Sequence, residues 1–356
     1  MVDKITVLYF GMYDPEYSRN RILIDGLKQN GVEVIECRDD SPGLKKFWNL
    51  FIKHWHVRNS YDVMVIGFLG HIIVPFAKII TRKPIIFDAF VSLYDSNVFD
   101  RKVVKPKTLR AFYYWFLDWI SMWLADIILF DTNQHIKYAT EEFGVRKEKL
   151  IRILVGAQDK IFYPRNIIKS DSNFLVGFYG TYIPLQGVEF IVEAAKEVES
   201  YKDIKFMLIG SGQEKQIILK LAQDLKIKNI DFVDFLPQNK LAFEIVKADV
   251  CLGIFGKTEK TQRVIPNKVY QCAAMKKPII TADTPAMREL FDDKDLMMIR
   301  AANPKALADA ILILKNNHEQ REELAKNCFN KFIKYATPKV LGRELKKILE
   351  QFLIKF

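Results

Sequence analysis

Two basic residues, Arg263 and Lys268, lie in a loop that leads into a short helical pattern at residues 269–275. Pro278 ends this pattern, and an apolar strand follows it. Such a loop places two cations beside the N-terminus of a helix, where unpaired backbone N–H groups carry partial positive charge. The segment therefore predicts a site for an anion such as a phosphate.

Two glycine-rich turns could bring further backbone donors to the same anion. Gly180 and Gly187 lie between an apolar run and a helical pattern, and Gly210 and Gly212 follow the next apolar run. Glycine lets the backbone approach a ligand closely. Taken singly, each turn is explained equally well as a tight turn without a ligand. Together with the basic loop, the two turns favour a ligand site.

The order of the elements predicts how these residues are positioned. A chain of 356 residues exceeds what one hydrophobic core usually supports, and short apolar runs alternate with helical patterns throughout it. We therefore expect an α/β protein with two Rossmann-like domains, a boundary in the polar stretch at 164–172, and a ligand in the cleft between domains at the carboxyl ends of the strands. The predicted strands are 5–10, 33–37, 63–67, 84–87, 126–131, 151–155, 174–179, 206–209, 230–232, 250–254, 279–281 and 296–299.

Composition narrows the classes of function. The four cysteines contain no CxxC pair, which argues against a zinc site or a disulfide framework and favours a reducing cytoplasm. We also expect no signal peptide before the first strand. The net charge of +11 suits phosphorylated small molecules, a membrane surface or nucleic acid. Because no known nucleic-acid motif is present, a basic nucleic-acid-binding protein is the weaker alternative, and we expect no nucleic acid partner.

The order of motifs in the second half resembles family 4 (group 1) glycosyltransferases of the GT-B fold. The glycine turns, Phe235-Leu236-Pro237, Ala248-Asp249-Val250 and the block from Pro266 to Pro278 occur in the family's order over about residues 176–316. The resemblance implies a nucleoside diphosphate sugar donor, a hydroxyl acceptor, retention of anomeric configuration, a hexosyltransferase type of activity and no obligatory metal. It also implies domains at 1–165 and 172–338, and a helix at 339–356 that packs back on the first domain.

The resemblance also assigns the site residue by residue, with departures. Where the family holds the diphosphate with Arg and Lys, this chain has Thr181 and Gln186, so Arg263 and Lys268 are expected to supply that charge as catalytic groups. The family's paired glutamates align with Arg263 and Gln271. Gln271 keeps an acceptor oxygen for the ribose hydroxyls. The expected donor-binding residues are Gly180, Thr181, Gln186, Gly187, Gly210, Gly212, Leu236, Ile265, Pro266, Asn267 and Gln271.

The sequence signals for an acceptor site are less specific than those for the donor site. Gly11 and Asp14 precede the first helix, where Ser18 or Asn20 serves equally well as a simple helix cap. The family's Asp-x-His is absent, because Phe90 stands in the place of the histidine. Asp88 or Asp95 could assist the acceptor hydroxyl, or be ordinary loop acids. The five histidines (His54, His56, His71, His135 and His318) show no ligand spacing and are expected at the surface.

Basic and aromatic residues concentrate in the first half. Residues 41–112 hold twelve Lys or Arg against four acids, and Lys45, Lys46 and Lys53 stand close to tryptophans. The apolar run at 108–130 is interrupted by Asp118 and Asp126, which predicts a core helix and a strand rather than a membrane span. We expect peripheral attachment to the cytoplasmic face of a membrane and a lipid-linked or membrane-proximal glycan acceptor in surface polysaccharide or glycolipid assembly. The alternative is that these aromatics are core residues.

A second enzyme class remains open at this stage. A sugar-nucleotide epimerase can be built on the same two-domain fold, and its sequence would also present glycine turns and cations to a nucleoside diphosphate. The two activities differ in their requirement for an acceptor, because an epimerase isomerises the donor sugar with no acceptor present.

Overall fold

Each of the twelve predicted strands is present in the structure, a computed structural model that describes residues 5–166 and 173–354. The chain divides into two compact units, and each contains one six-stranded parallel sheet, so the predicted α/β class is confirmed. Part of the predicted boundary, residues 167–172, lies outside the described residues. The first unit comprises Met1–Val98, Lys102–Gln158 and Tyr335–Phe356, and the second comprises Phe99–Arg101 and Asp159–Lys334.

The sheet of the first unit has the strand order β2-β1-β3-β4-β5-β6. Its central strands are buried on both faces, as expected of a parallel sheet covered by helices. The strands are β1 (Thr6–Gly11), β2 (Glu33–Arg38), β3 (Val63–Ile66), β4 (Ile85–Phe90), β5 (Ile127–Phe130) and β6 (Leu150–Arg152). The helices between them are α1 (Ser18–Gln29), α2 (Lys45–Val57), α3 (Ile73–Ile80), α4 (Leu109–Leu124) and α5 (Asn133–Phe143).

The sheet of the second unit has the strand order β12-β11-β10-β7-β8-β9. The order reverses at β7, which lies between β8 and β10, and ligands of such sheets bind at the carboxyl ends of the strands at this point. The strands are β7 (Phe174–Tyr179), β8 (Ile204–Ile209), β9 (Ile230–Val233), β10 (Val250–Leu252), β11 (Ile279–Ala282) and β12 (Met297–Ile299). The helices are α6 (Val188–Glu197), α7 (Lys215–Asp224), α8 (Gln238–Lys247), α9 (Asn267–Ala274), α10 (Pro304–Asn316) and α11 (His318–Tyr335).

The last helix, α12 (Pro338–Leu353), returns to the first unit and packs on α1. Its buried side chains recur every four residues, at Leu341, Leu345 and Leu349. The two helices meet at Gly26 and Gly342, where a Cβ on Gly342 would lie 2.0 Å from the carbonyl carbon of Gly26. This close approach of two backbones needs glycine on both helices. The packing agrees with the C-terminal helix that the family resemblance implies.

One detail of the first unit differs from expectation. Neither Ser18 nor Asn20 caps α1, because the helix begins at Ser18 and has Tyr17 as its N-cap. Instead, the Asn20 side chain accepts the backbone N–H of Phe68 (2.9 Å) and donates to the carbonyl of Asp14 (2.9 Å), so it joins the loops after β1 and β3. The run at 108–130 forms α4 followed by β5, as predicted. Among the described residues, no helix is both long enough and apolar enough to cross a bilayer.

Candidate functional site

The loops at the carboxyl ends of β7 and β8 touch through their glycines. A Cβ on Gly210 would lie 2.0 Å from the carbonyl oxygen of Gly180, and one on Gly212 would lie 2.5 Å from the carbonyl oxygen of Tyr182. Gly180 has φ +154, which side-chain-bearing residues rarely adopt. The backbone N–H of Tyr182 donates to the carbonyl of Ser211 (2.9 Å), which fixes the two turns to each other. The sequence predicted both turns, and the structure brings them together.

The loop after β10 closes around Gly187. This residue has φ +64, and a Cβ there would lie 2.5 Å from the backbone of Phe255 and Gly256. The backbone N–H of Phe255 donates to the carbonyl of Gln186 (3.0 Å). The turn after β7 is therefore held on one side by β8 and on the other by β10, at the point where the strand order reverses.

Lys268 lies in the first turn of α9 rather than in the preceding loop, and its side chain is buried. The Nζ atom donates to Oε1 of Gln186 (2.5 Å) and lies 3.6 Å from the centre of the Phe178 ring. A Cβ on Gly180 would be 3.0 Å from the same Nζ. The structure thus brings Lys268, Gln186 and Gly180 together, as a phosphate site on this turn requires.

The ionisation of Lys268 is governed by the burial of its amino group. In the ranges that the structure describes, no carboxylate pairs with this lysine. Because burial removes water from the amino group, it lowers the pKa of Lys268 well below its usual value. An anion entering here would meet a buried donor whose protonated form it would stabilise.

Gln271 is held by a residue that the sequence did not single out. The Tyr179 hydroxyl, at the end of β7, donates to Oε1 of Gln271 (2.8 Å) and contacts the carbonyl oxygen of Lys268 (3.2 Å). The amide oxygen of Gln271 has a second lone pair, so a role toward ribose hydroxyls stays a prediction. Tyr179 immediately precedes Gly180 in sequence, and that position was the available signal for it.

The segment with Arg263 packs on the turn after β7. Arg263 ends the short helical turn Glu259–Arg263 and is half-buried, and the next residue, Val264, forms a small apolar cluster with Ile183, Leu185 and Ile254. This cluster ties the segment that contains Arg263 to the turn after β7. The other predicted donor residues are placed as follows: Ile265 is buried, Pro266 precedes α9, Asn267 begins it, Thr181 is exposed, and Leu236 is half-buried between β9 and α8.

Comparison with known proteins assigns this unit to a family. Residues 173–317 match the family described as Glycosyl transferases group 1. They form a group 1 glycosyltransferase domain. All the predicted donor-binding and catalytic residues lie inside the matched range of this domain, and so does Tyr179.

Relatives and solved structures extend the comparison. Over 183 residues the chain is 26% identical to MJ1178, an uncharacterized glycosyltransferase of Methanocaldococcus jannaschii; the match covers 51% of this chain and 48% of the relative. The matching region thus spans about half the length of this curated relative. Anabaena HepE, solved in complex with UDP, superposes with a TM-score of 0.72 at 15% identity, covering 98% of this chain and 100% of HepE.

A second solved structure agrees. Sucrose-phosphate synthase of Thermosynechococcus elongatus superposes with a TM-score of 0.77 at 14% identity and covers 99% of this chain and 100% of its own. At such identities the likeness concerns the fold. The predicted GT-B class of the chain that carries the glycosyltransferase domain is thereby confirmed.

On the predicted acceptor side, Asp88 has a structural partner. The carboxylate is fully buried at β4, and both oxygens accept from the Arg19 guanidinium at 2.8 to 3.1 Å. Arg19 also donates to the carbonyls of Ile153 (2.6 Å) and Leu154 (2.9 Å). Burial alone would lower the pKa of Arg19, but the charge and hydrogen bonds of Asp88 raise it. Asp88 therefore joins α1 to the strand edge, and the geometry favours this role over assistance to an acceptor.

The remaining acceptor-side candidates are dispersed. Gly11 ends β1 with φ +135, and Asp14 is exposed, with its carboxylate accepting from the backbone N–H of Glu16 (2.9 Å). Asp95 is fully buried at the start of the helical turn Asp95–Asp100, where its N–H donates to Ser92 Oγ (3.0 Å). Gly11 and Asp14 thus lie at the carboxyl end of β1, whereas Asp95 lies beyond β4 in the chain.

The expectation of surface histidines is wrong for His54, His71 and His135, which are all buried. His54 Nε2 lies 2.9 Å from the Tyr61 hydroxyl, and His135 Nδ1 lies 2.6 Å from the Asp131 carboxylate. Polar neighbours in sequence misled the prediction, because helical spacing turns His54 and His135 inward while their neighbours face solvent. Burial lowers the pKa of His71 to about 3.

Proposed function

We propose that the chain is a retaining glycosyltransferase that moves a sugar from a nucleoside diphosphate sugar to a hydroxyl acceptor. The observation that carries the proposal is the buried amino group of Lys268, which lies beside Gly180 with Gln186 as its hydrogen-bond partner. A buried cation without an acid beside it is costly unless an anion compensates it. The diphosphate of the donor is that anion.

Catalysis in this proposal is mainly electrostatic. When the bond from the sugar to the diphosphate breaks, negative charge grows on the departing diphosphate. Lys268, whose amino group is held by Gln186, and the backbone N–H groups at the start of α9 are in place before the reaction, so they stabilise this charge without reorganising, and we propose that Arg263 adds a second cation. Gln186 orients the Lys268 amino group, and Tyr179 orients Gln271 toward the ribose. Retention of anomeric configuration is part of the proposal because the resemblance to the family implies it.

The acceptor in this proposal is a glycan or a lipid-linked glycan used in surface polysaccharide or glycolipid assembly. Support comes from the first unit, whose residues 41–112 combine twelve cations with exposed aromatic side chains. Such a surface suits a phosphorylated, membrane-proximal acceptor better than a neutral metabolite in solution. Incubation with a donor panel and mass spectrometry separates transfer from epimerisation, because transfer yields product only when an acceptor is present.

We propose that the reaction needs no metal. Among the described residues, no group of three His, Cys, Asp or Glu side chains is arranged to hold a metal ion. The proposal rests on the family resemblance, which implies no metal, and on Lys268 and the backbone N–H groups, which stabilise the diphosphate charge. Turnover should be unchanged when EDTA is added to the purified enzyme, and restored divalent cations should add nothing. A loss of turnover with EDTA that magnesium or manganese reverses would contradict this part of the proposal.

One nucleoside diphosphate should stabilise the protein clearly more than the others. At one hundred times its Kd, a ligand adds about 2.7 kcal/mol of stability, which corresponds to several degrees in the melting midpoint. Thermal melts with UDP, GDP, ADP and TDP measure this, with UDP first because HepE was solved with it. The Lys268→Met variant serves as the control and should lose most of the shift. If none of the four raises the midpoint, the proposed donor site is wrong.

Nucleotide binding should be coupled to proton uptake. Burial lowers the pKa of Lys268 in the free protein, and a bound diphosphate favours the charged form and raises that pKa. Affinity should therefore fall as pH rises from the lowered free pKa toward the higher bound pKa. The range above about pH 7.5 is informative, because the terminal phosphate, with a pKa of about 6, is already ionised there.

Titration calorimetry in two buffers of different ionisation enthalpy measures this uptake directly. The wild-type protein should take up protons on binding the preferred nucleotide, and Lys268→Met should not. Equal heats in the two buffers for the wild type would mean that Lys268 is already charged before the nucleotide arrives, or that the nucleotide does not reach it.

A further inference from the structure

Helix α2 is apolar on two opposite faces. Leu50 and His54 are buried on the inner face, against the sheet. On the outer face, Trp48 is 64% exposed and Trp55 is 53% exposed, with Phe51 and Ile52 between them. The Phe51 ring stacks on Trp48 (5.9 Å between centroids) and lies 6.1 Å from that of Trp55, so these side chains form one continuous surface. A helix that only covered the sheet would carry polar residues there.

Helix α4 repeats this arrangement. Ala111, Asp118 and Met122 are buried on its inner face. Its outer face carries a ladder of rings in successive contact, with Phe112 to Phe116 at 6.3 Å, Phe116 to Trp119 at 5.8 Å and Trp119 to Trp123 at 6.2 Å. Phe112 and Trp123 are each more than 60% exposed.

The two outer faces belong to one layer of helices. The Phe47 ring of α2 contacts the Phe76 ring of α3 (5.3 Å), and α3 packs against α4. Between the two aromatic helices, α3 adds Ile79, which is 83% exposed. We call this surface the aromatic face; it comprises Trp48, Phe51, Ile52, Trp55, Ile79, Phe112, Phe116, Trp119 and Trp123. The interpretation of these aromatics as core residues is wrong for Trp48 and Trp55, whereas Phe47 and the half-buried Trp119 do pack against the core.

Shallow hollows open on the aromatic face, and two of those described here carry cations at their rims. A hollow of about 340 Å³ is lined by Lys107, Leu109, Phe112 and Trp115, and one of about 230 Å³ is lined by Trp119, Trp123, Arg146 and Lys149. A third hollow, of about 290 Å³, has only Trp48, Phe51, Ile52 and Trp55 around it. The combination of rings with cations at the edges therefore occurs on α4, whereas the hollow on α2 is lined by apolar side chains.

Basic residues outnumber exposed acids in the segment that carries the aromatic face, although Glu142 of α5 accepts a hydrogen bond from Trp115 (3.0 Å). Residues 41–124 contain twelve Lys or Arg, and of their five acids only Asp62 is exposed. The other four, Asp88, Asp95, Asp100 and Asp118, are fully buried. Two of the cations are neutralised locally, Lys53 by Asp39 (2.8 Å) and Lys78 by Asp126 (3.3 Å). The surface therefore presents excess positive charge around a broad apolar centre.

We propose that the aromatic face docks on an anionic lipid bilayer, with its rings at the level of the headgroups. Trp and Phe side chains favour that layer, while Lys and Arg side chains extend to the lipid phosphates. A second copy of the chain is a poor occupant, because a symmetric contact would place the same cations against each other. The contact is peripheral, since no described helix can span a bilayer.

The proposed membrane docking depends only on residues of the first unit, and it does not depend on the proposed glycosyl transfer. Failure of vesicle binding would leave the proposed transferase activity untouched, and absence of transferase activity would leave vesicle binding intact. If both hold, the bilayer brings the enzyme to lipid-linked acceptors, which deepens the proposed function by naming where the acceptor is met.

The test uses the full-length protein with vesicles of phosphatidylcholine, with and without phosphatidylglycerol. The protein should sediment with the phosphatidylglycerol vesicles at low salt and dissociate largely at 1 M salt, where the Debye length is about 3 Å. All five tryptophans lie in α2 and α4, so tryptophan emission reports on this surface and its immediate support. Binding should shift the emission to the blue, and brominated lipids should quench it.

Matched variants separate the aromatic face from apolar surface in general. Trp48→Ser with Trp55→Ser should weaken vesicle binding at least about tenfold, since each ring loses its burial in the interface. Phe112→Ser with Phe116→Ser should act similarly, and Lys45→Glu with Lys46→Glu should remove the dependence on phosphatidylglycerol. The control pair, Ile217→Ser with Ile313→Ser, removes exposed apolar side chains of the second unit and should bind as the wild type does. Unchanged thermal melts confirm that each variant folds.

Three results would overturn the proposal. The first is a wild-type protein that stays in solution with phosphatidylglycerol vesicles at low salt. The second is aromatic variants that fold and bind as tightly as the wild type. The third is a lipid-free dimer in sedimentation velocity that the Trp48→Ser and Trp55→Ser changes dissociate, which would assign the aromatic face to a second copy instead.

Discussion

Lys268→Met is expected to lower turnover of the nucleoside diphosphate sugar about a hundredfold without destabilising the protein. One fixed donor to a developing anion is worth about two orders of magnitude or more in turnover. Methionine has a similar length and fills the space beside Phe178 and Gln186, so the fold loses no packing. Because the buried amino group has no acidic partner in the described residues, its removal strands no opposite charge, and the melting midpoint should stay near the wild-type value.

The comparison variants make this result specific. Lys276→Ala removes one positive charge at the other end of α9, where the side chain is exposed, and should leave turnover near the wild-type value. Arg263→Ala should cost about a hundredfold as well, if it is the second cation at the diphosphate. Steady-state kinetics with the donor found by the thermal panel measure all three. Near-wild-type turnover of both Lys268→Met and Arg263→Ala would remove these residues from the mechanism.

The twelve strands could be predicted because each is a short apolar run between a turn and a helical pattern, and parallel sheets bury such runs on both faces. The contact of Gly180 with Gly210 was foreseeable in kind, since glycine after two successive strands marks two backbone turns at one sheet edge. The spacing of these glycines in the sequence does not predict the distance between the two turns. The lack of a side chain in glycine does predict that the two backbones can approach closely.

Pairs that join distant parts of the chain could not be predicted. The Tyr179 hydroxyl reaches Gln271 across 92 residues, and Arg19 reaches Asp88 across 69. The local sequence around Tyr179 or Arg19 does not identify the partner residue, because the pairing depends on which strands become neighbours in the sheet. The prediction that the histidines lie at the surface was wrong for a related reason. His54 has charged neighbours in sequence, but the period of α2 places it with Leu50 on the inner face.

Breaking the Arg19–Asp88 ion pair from one side should be among the most destabilising single changes in the first unit. Both side chains are fully buried and joined by three hydrogen bonds, and Arg19 also satisfies two backbone carbonyls. Asp88→Asn would leave the guanidinium charged and buried without a counter-ion. Breaking a buried pair from one side typically costs about 3–5 kcal/mol.

Urea unfolding followed by tryptophan emission measures this effect in the right unit, because all five tryptophans belong to α2 and α4 of the first unit. Arg21→Met is the matched control. It lies on the same helix as Arg19, and its partner Glu16 is 2.9 Å away but 74% exposed, so its loss should cost roughly 0–1 kcal/mol.

The Asp88→Asn variant distinguishes a structural role of Asp88 from a role in assisting the acceptor hydroxyl. If Asp88 assisted the acceptor hydroxyl, Asp88→Asn would lose turnover while the urea midpoint stayed near the wild-type value. If Asp88 instead joins α1 to the sheet, the midpoint falls strongly, and turnover measured well below the new midpoint falls much less. Replacing both partners, Arg19→Met with Asp88→Leu, should recover part of the lost stability, since it removes the stranded charge as well as the pair. A double variant less stable than Asp88→Asn would contradict this account.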